Sequence, residues 1–137
     1  MNRVVIDPGV FVSAALSPSD TPSKLVAHWK RGTFDLLVSR SLLGELETVL
    51  MRSKFRRYLS EDEASKYIER FRKRATMLPD PDSIPRATPD PKNDYLVALA
   101  LSVDADFLVS GDPHLTKLED APVRVLSPRG FLDLIAG

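Results

Sequence analysis

Four acidic side chains stand where they could do chemistry: Asp7, Glu45, Asp94 and Asp112. Asp7 ends the apolar run Arg3-Val4-Val5-Ile6, and Asp112 follows Phe107-Leu108-Val109-Ser110-Gly111 in the same manner. Carboxylates gathered at one edge repel each other, so such a cluster needs a counter-charge. No His or Cys joins the group, and an all-oxygen set suits a hard cation, Mg²⁺ or Mn²⁺. A carboxylate-held Mg²⁺ keeps several waters, can lower the pKa of one and can clamp a phosphate oxygen. That is the chemistry of metal-assisted phosphodiester hydrolysis. Ser110, just before Gly111 and Asp112, could orient a carboxylate or a metal-bound water.

Each acid also has a plainer use. Asp is a favoured helix N-cap, so Asp7 alone could be nothing more. Two buried strands that both close on an acid are harder to read as two independent caps. Glu45 borders the apolar stripe of Leu42, Leu46 and Val49, whereas Glu47 falls on the polar side. An acid at such a border either closes a capping box or points into a site, and Leu42 cannot act as the cap. Asp94 stands in a first helical turn, where the dipole favours a carboxylate.

The elements that must position these acids follow from periodicity. Val4-Val5-Ile6 and Phe107-Leu108-Val109 are continuous apolar runs, the pattern of strands covered on both faces. Phe34 to Val38 predicts a second strand, and Val123 to Leu126 a last short one. Helices are predicted from Val10 to Leu16, Ser23 to Arg31, Leu42 to Arg52, Ser60 to Ala75, Pro91 to Ser102 and Ser127 onward. Ser60 with Glu63 is a capping box, and Pro128 suits a first helical position. Trp29, at helical spacing from Leu25 and Val26, reads as core rather than as a base-stacking platform. The stretch 76–91, rich in Pro and Asp, reads as a loop with a short extended piece at Met77-Leu78. Strands joined by helices imply parallel pairing and a three-layer α/β/α fold.

At 137 residues, the chain is expected to form one domain spanning 1–137. It has no cysteine, which excludes a disulfide framework, a thiolate zinc site and a Cys nucleophile. Two histidines, His28 and His114, are too few for a His-rich metal site. No apolar run is long enough to cross a membrane, and the first strand begins directly after Met1-Asn2, so neither an anchor nor a leader is expected and a cytoplasmic location is. Formal net charge is zero, so no general grip on nucleic acid is indicated. Lys54, Arg56, Arg57, Arg70, Arg72, Lys73 and Arg74 nevertheless crowd the middle of the chain. They form either a solvated helix face or a phosphate-contacting rim.

Four stretches resemble, in order, the motifs of PIN domains. They are Val4 to Ala14 with Asp7, Ser41 to Leu50 with Glu45, Asp90 to Ala100 with Asp94, and Ala105 to Asp112. The resemblance implies a mostly parallel sheet in the order 3-2-1-4-5 and an Mg²⁺- or Mn²⁺-dependent ribonuclease acting on RNA. It further implies the toxin of a toxin–antitoxin pair with a cognate antitoxin partner, often as a homodimer or higher oligomer. Asp7, Glu45, Asp94 and Asp112 would be its metal and catalytic residues.

Two departures qualify this. Asp7-Pro8-Gly9 replaces the family's Asp-Thr/Ser-Asn, which removes a hydroxyl and an amide that would support Asp7. Asn93 stands where many members carry another acid, with Asp90 nearby as an auxiliary candidate. The alternative is therefore a catalytically weakened PIN fold that binds RNA or protein. A phosphatase-like hydrolase with an aspartyl nucleophile would want a second acid at position 9, and Gly9 argues against it.

Overall fold

The computed structural model describes residues 1–136. Five parallel strands form the centre: β1 (Arg3–Ile6), β2 (Asp35–Val38), β3 (Thr76–Met77), β4 (Phe107–Val109) and β5 (Val125–Leu126). Their order is β3-β2-β1-β4-β5, as the sequence resemblance implied. The helices are α1 (Pro8–Leu16), α2 (Thr21–Lys30), α3 (Arg40–Leu50), α4 (Glu61–Arg74), α5 (Pro91–Ser102), α6 (Pro113–Thr116) and α7 (Pro128–Ala136), with a 3₁₀ turn at Ser53–Phe55.

Successive strand side chains point to opposite faces. Val4, Val5 and Ile6 are all buried, so helices must cover both faces of β1, and the fold is three-layered. Parallel strands need such crossovers, because no tight turn can return a chain to the same end of the sheet.

The helix starts obey local chemistry. Ser60 and Glu63 make the reciprocal capping box at α4, and the Ser39 hydroxyl accepts from the Leu42 amide at α3. Ser127 caps α7 by accepting from the Gly130 amide at 3.0 Å. Trp29 is core: its ring stacks on Phe71 at 4.9 Å, and Phe11 and Tyr67 pack on the same Phe71. This aromatic cluster locks α1, α2 and α4 together.

The extended piece expected at Met77-Leu78 is β3, one residue earlier, and it is an edge strand. Its two residues are exposed, and pairing of Leu37 with Thr76 and of Val38 with Met77 fixes its bounds.

Candidate functional site

At the carboxyl edge of the sheet lies a cavity of about 300 Å³. Its wall contains Asp7, Glu45, Asp90, Lys92, Asn93 and Asp112. Val12, Val49 and Leu96 supply an apolar floor, and Arg52 stands at the rim. Open α/β sheets bind ligands at this edge.

Asp7 and Asp112 meet there because β1 and β4 are neighbours. Ile6 pairs with Val109, and the Asp7 amide donates to the Val109 carbonyl at 2.9 Å. Ser110, fully buried, joins the two acids. Its hydroxyl donates to Asp7 Oδ2 at 2.8 Å and accepts from the Asp112 amide at 3.1 Å.

Asp7 is also an N-cap, the plainer of the two uses foreseen for it. Its Oδ1 accepts from the Gly9 amide at 3.0 Å. The same device recurs twice around the pocket. Asp90 caps α5 through the Lys92 amide at 2.9 Å, and Asp112 caps α6 through the His114 amide at 2.9 Å. In each case a proline follows the acid as the first helical residue, where its missing N–H costs nothing. Pro8 and Gly9 thus begin α1 itself, earlier than the Val10 start expected from the apolar pattern.

Glu45 projects from α3 into the pocket and is about one-third exposed. Its Oε1 lies 3.1 Å from Lys92 Nζ. Asp112 Oδ2 accepts from Asn93 Nδ2 at 2.9 Å. That bond, then the His114 amide, holds the Asp112 carboxyl below its ordinary pKa. His114 Nδ1 also approaches Asp112 Oδ1, at 3.0 Å.

Asp94 does not line the cavity. Its Oδ1 accepts from the Ala87 amide (2.9 Å), the Thr88 amide (2.7 Å) and the Thr88 hydroxyl (2.9 Å). These bonds, led by the Ala87 amide, hold its carboxyl below the usual range. They fasten the loop that precedes Asp90. The neighbouring Asn93 takes the position in the pocket instead. A helix turns about 100° per residue, so adjacent side chains cannot share a direction.

Sequence reasoning passed over two residues of α5, Lys92 in the cavity wall and Tyr95 outside it. Lys92 is the cation facing Glu45, and Tyr95 anchors the loop from the other side. The Tyr95 hydroxyl donates to Asp80 at 2.5 Å and lies 2.5 Å from the Ser39 hydroxyl. Burial, then Asp80, pushes the Tyr95 phenol up to about 12. The helical phase of α5 was the available signal for both.

The oxygen donors fit a hard cation in kind. Among the described residues, no three His, Cys, Asp or Glu side chains are grouped so as to hold a metal ion. Mg²⁺ is commonly bound through one or two carboxylates and several waters, a demand that Asp7 and Asp112 meet in number.

Among solved structures, PAE2754 from Pyrobaculum aerophilum superposes with a TM-score of 0.69 at 15% identity, over 99% of this chain and 90% of that one. VapBC2 from Rickettsia felis, in a structure bound to a DNA fragment from their promoter, gives a TM-score of 0.63 at 12% identity, over 91% of this chain and 98% of that one. Both share the fold. No curated protein matches significantly in sequence. The model of the PIN domain matches residues 3–114, which is most of the chain. The chain belongs to the PIN domain family.

Proposed function

We infer that this PIN domain is a divalent-cation-dependent ribonuclease of the cytoplasm, the toxin of a toxin–antitoxin pair. The observation that carries the reading is that Asp7, Glu45 and Asp112 line one cavity with no His or Cys in its wall. Membership of the family and the likeness to VapBC2 support it and favour a protein antitoxin as partner. A homodimer or higher oligomer and a single domain over 1–137 belong to the same reading. Among the described residues no helix is long and apolar enough to cross a membrane.

In this reading, Asp7 and Asp112 would hold Mg²⁺ or Mn²⁺. Such a cation would supply an acidified water and a charge to offset that on a phosphate oxygen. Ser110 fixes the Asp7 carboxylate through its hydroxyl. Glu45, which faces Lys92, would either bind the metal or take a proton from the attacking water. Asp94 serves the pocket through the loop it fastens. The check is cleavage of RNA with Mn²⁺ by purified Asp7→Asn and Asp112→Asn proteins: activity persisting in both sinks the assignment.

One observation favours a second reading. Lys92 already faces Glu45, Asn93 contributes no charge, and Pro8-Gly9 gives Asp7 no side-chain support. A site so altered suits a weakened PIN fold that binds RNA or protein. It would bind RNA without metal-dependent cleavage.

A further inference from the structure

A group of cations away from the pocket lacks acidic partners. Between Asp20 and Asp35 the chain carries Lys24, His28, Lys30 and Arg31 and no acid. Arg70 and Arg74 lie one turn apart on α4 and share a helix face. Arg74 Nη2 donates to the Lys30 carbonyl at 3.3 Å, and its guanidinium lies 6.0 Å from the Trp29 ring. The Lys30 ammonium is held below its ordinary pKa, by burial first and then by the charges of Arg70 and Arg74. On the other flank of α2, Arg31 reaches His28 at 3.2 Å, and Lys24 shares their hollow with Arg129 and Asp133, whose charges pair with each other. Among the described residues none of Lys24, Lys30, Arg31, Arg70 and Arg74 forms an ion pair. Neighbouring Arg72, by contrast, is paired with Glu47 and Glu69.

The acidic pocket cannot hold a polyanion by charge, since Asp7, Glu45, Asp90 and Asp112 there face only Arg52 and Lys92. A hollow lined by Asp7, Gly9, Ser13 and Pro22 shares Asp7 and Gly9 with the pocket and reaches the start of α2. A separate groove lies further along α2, lined by Ala14, Ser23, Lys30 and Tyr67. Guanidinium forks match phosphate geometry, and counterion release makes such contacts favourable for any nucleic-acid backbone.

We propose that Lys30, Arg70 and Arg74, extended by Lys24 and Arg31, form a phosphate-binding track that holds the RNA backbone where it runs away from the acidic pocket, along α2 toward the amino edge of the sheet. The proposal rests on the ribonuclease reading for its choice of RNA, but its test does not need cleavage. The probe is a fluorescein-labelled single-stranded RNA of ~20 nucleotides, titrated by anisotropy in EDTA, where no divalent cation supports hydrolysis. The triple variant Lys30→Gln/Arg70→Gln/Arg74→Gln should bind at least about tenfold more weakly at low salt, with the salt slope reduced by about 2, the effect of roughly three lost single-strand phosphate contacts. Arg72→Gln, whose partner is already Glu47, should bind as wild type does. The emission of Trp29, the chain's one tryptophan, should shift on RNA addition to wild type. Circular dichroism identical to wild type shows that the triple variant is folded.

Unchanged affinity and slope in the folded triple variant overturn the track. So does loss of binding to poly-glutamate alone with RNA binding intact, which would assign the patch to an acidic protein. Wild type that binds RNA through these residues but never cleaves it with Mn²⁺ ends the ribonuclease reading and leaves the track standing.

Discussion

Asn93 Nδ2 donates to Asp112 Oδ2 across 2.9 Å, tying the first turn of α5 to the start of α6. An amide here does for Asp112 what a cation would otherwise do: it stabilises the ionised carboxylate without adding charge. The Asn93→Asp variant should reverse this. Without a cation, two carboxylates would repel and the melting temperature should fall. With Mn²⁺, the added ligand should tighten binding about tenfold or more. Melting curves with and without Mn²⁺ check both halves, and a variant indifferent to Mn²⁺ contradicts the metal assignment.

The pair between Lys92 and Glu45 sits at the surface, where such pairs contribute about 1 kcal/mol or less. A divalent cation therefore meets a weak competitor. Lys92→Met should strengthen Mn²⁺ binding by up to about fivefold, the equivalent of that energy. Isothermal titration of wild type against the variant decides it; weaker binding in the variant would mean that Lys92 assists the ion.

Asp94 fastens residues 87 and 88, and its removal should be felt there. Asp94→Ala should speed tryptic cleavage after Arg86 several-fold while leaving the Mn²⁺ titration unchanged. A variant that keeps the loop protected but loses Mn²⁺ would restore Asp94 to the set of ligands.

Tyr95 sets an alkaline limit. An unfolded tyrosine ionises near about 10, whereas folding pushes Tyr95 up to about 12. The folded-state value is raised, so its contribution is complete below about pH 10. It is lost as pH rises toward about 12, where the unfolded chain releases a proton that the folded one retains. Tyr67, also raised by burial, acts in the same window. Urea midpoints measured upward from pH 9 should fall less steeply in Tyr95→Phe. At neutral pH that variant should lose about 1 kcal/mol, the typical net worth of a hydrogen bond.

Much of this architecture was legible beforehand. β1 and β4 announce themselves because three successive buried residues in each leave no polar face. α5 was equally plain, since Leu96 to Ala100 are all buried. What the residues concealed was direction. Asn93 and Asp94 are neighbours in a first turn whose start at Pro91 the sequence marked correctly. Which of them enters the cavity depends on how α5 is rotated against β1 and β4, a tertiary contact. Lys92 was hidden for a related reason: charge complementarity between α5 and α3 requires knowing that they face each other. β3, with both side chains in solvent, left only Met77-Leu78 to read, which placed it one residue late.

The three Asp-Pro caps have an experimental consequence. The amides of Gly9, Lys92 and His114 are each sealed by a carboxylate that also walls the pocket. Their deuterium uptake is thus a residue-resolved clock for the pocket's breathing, readable before any substrate is known.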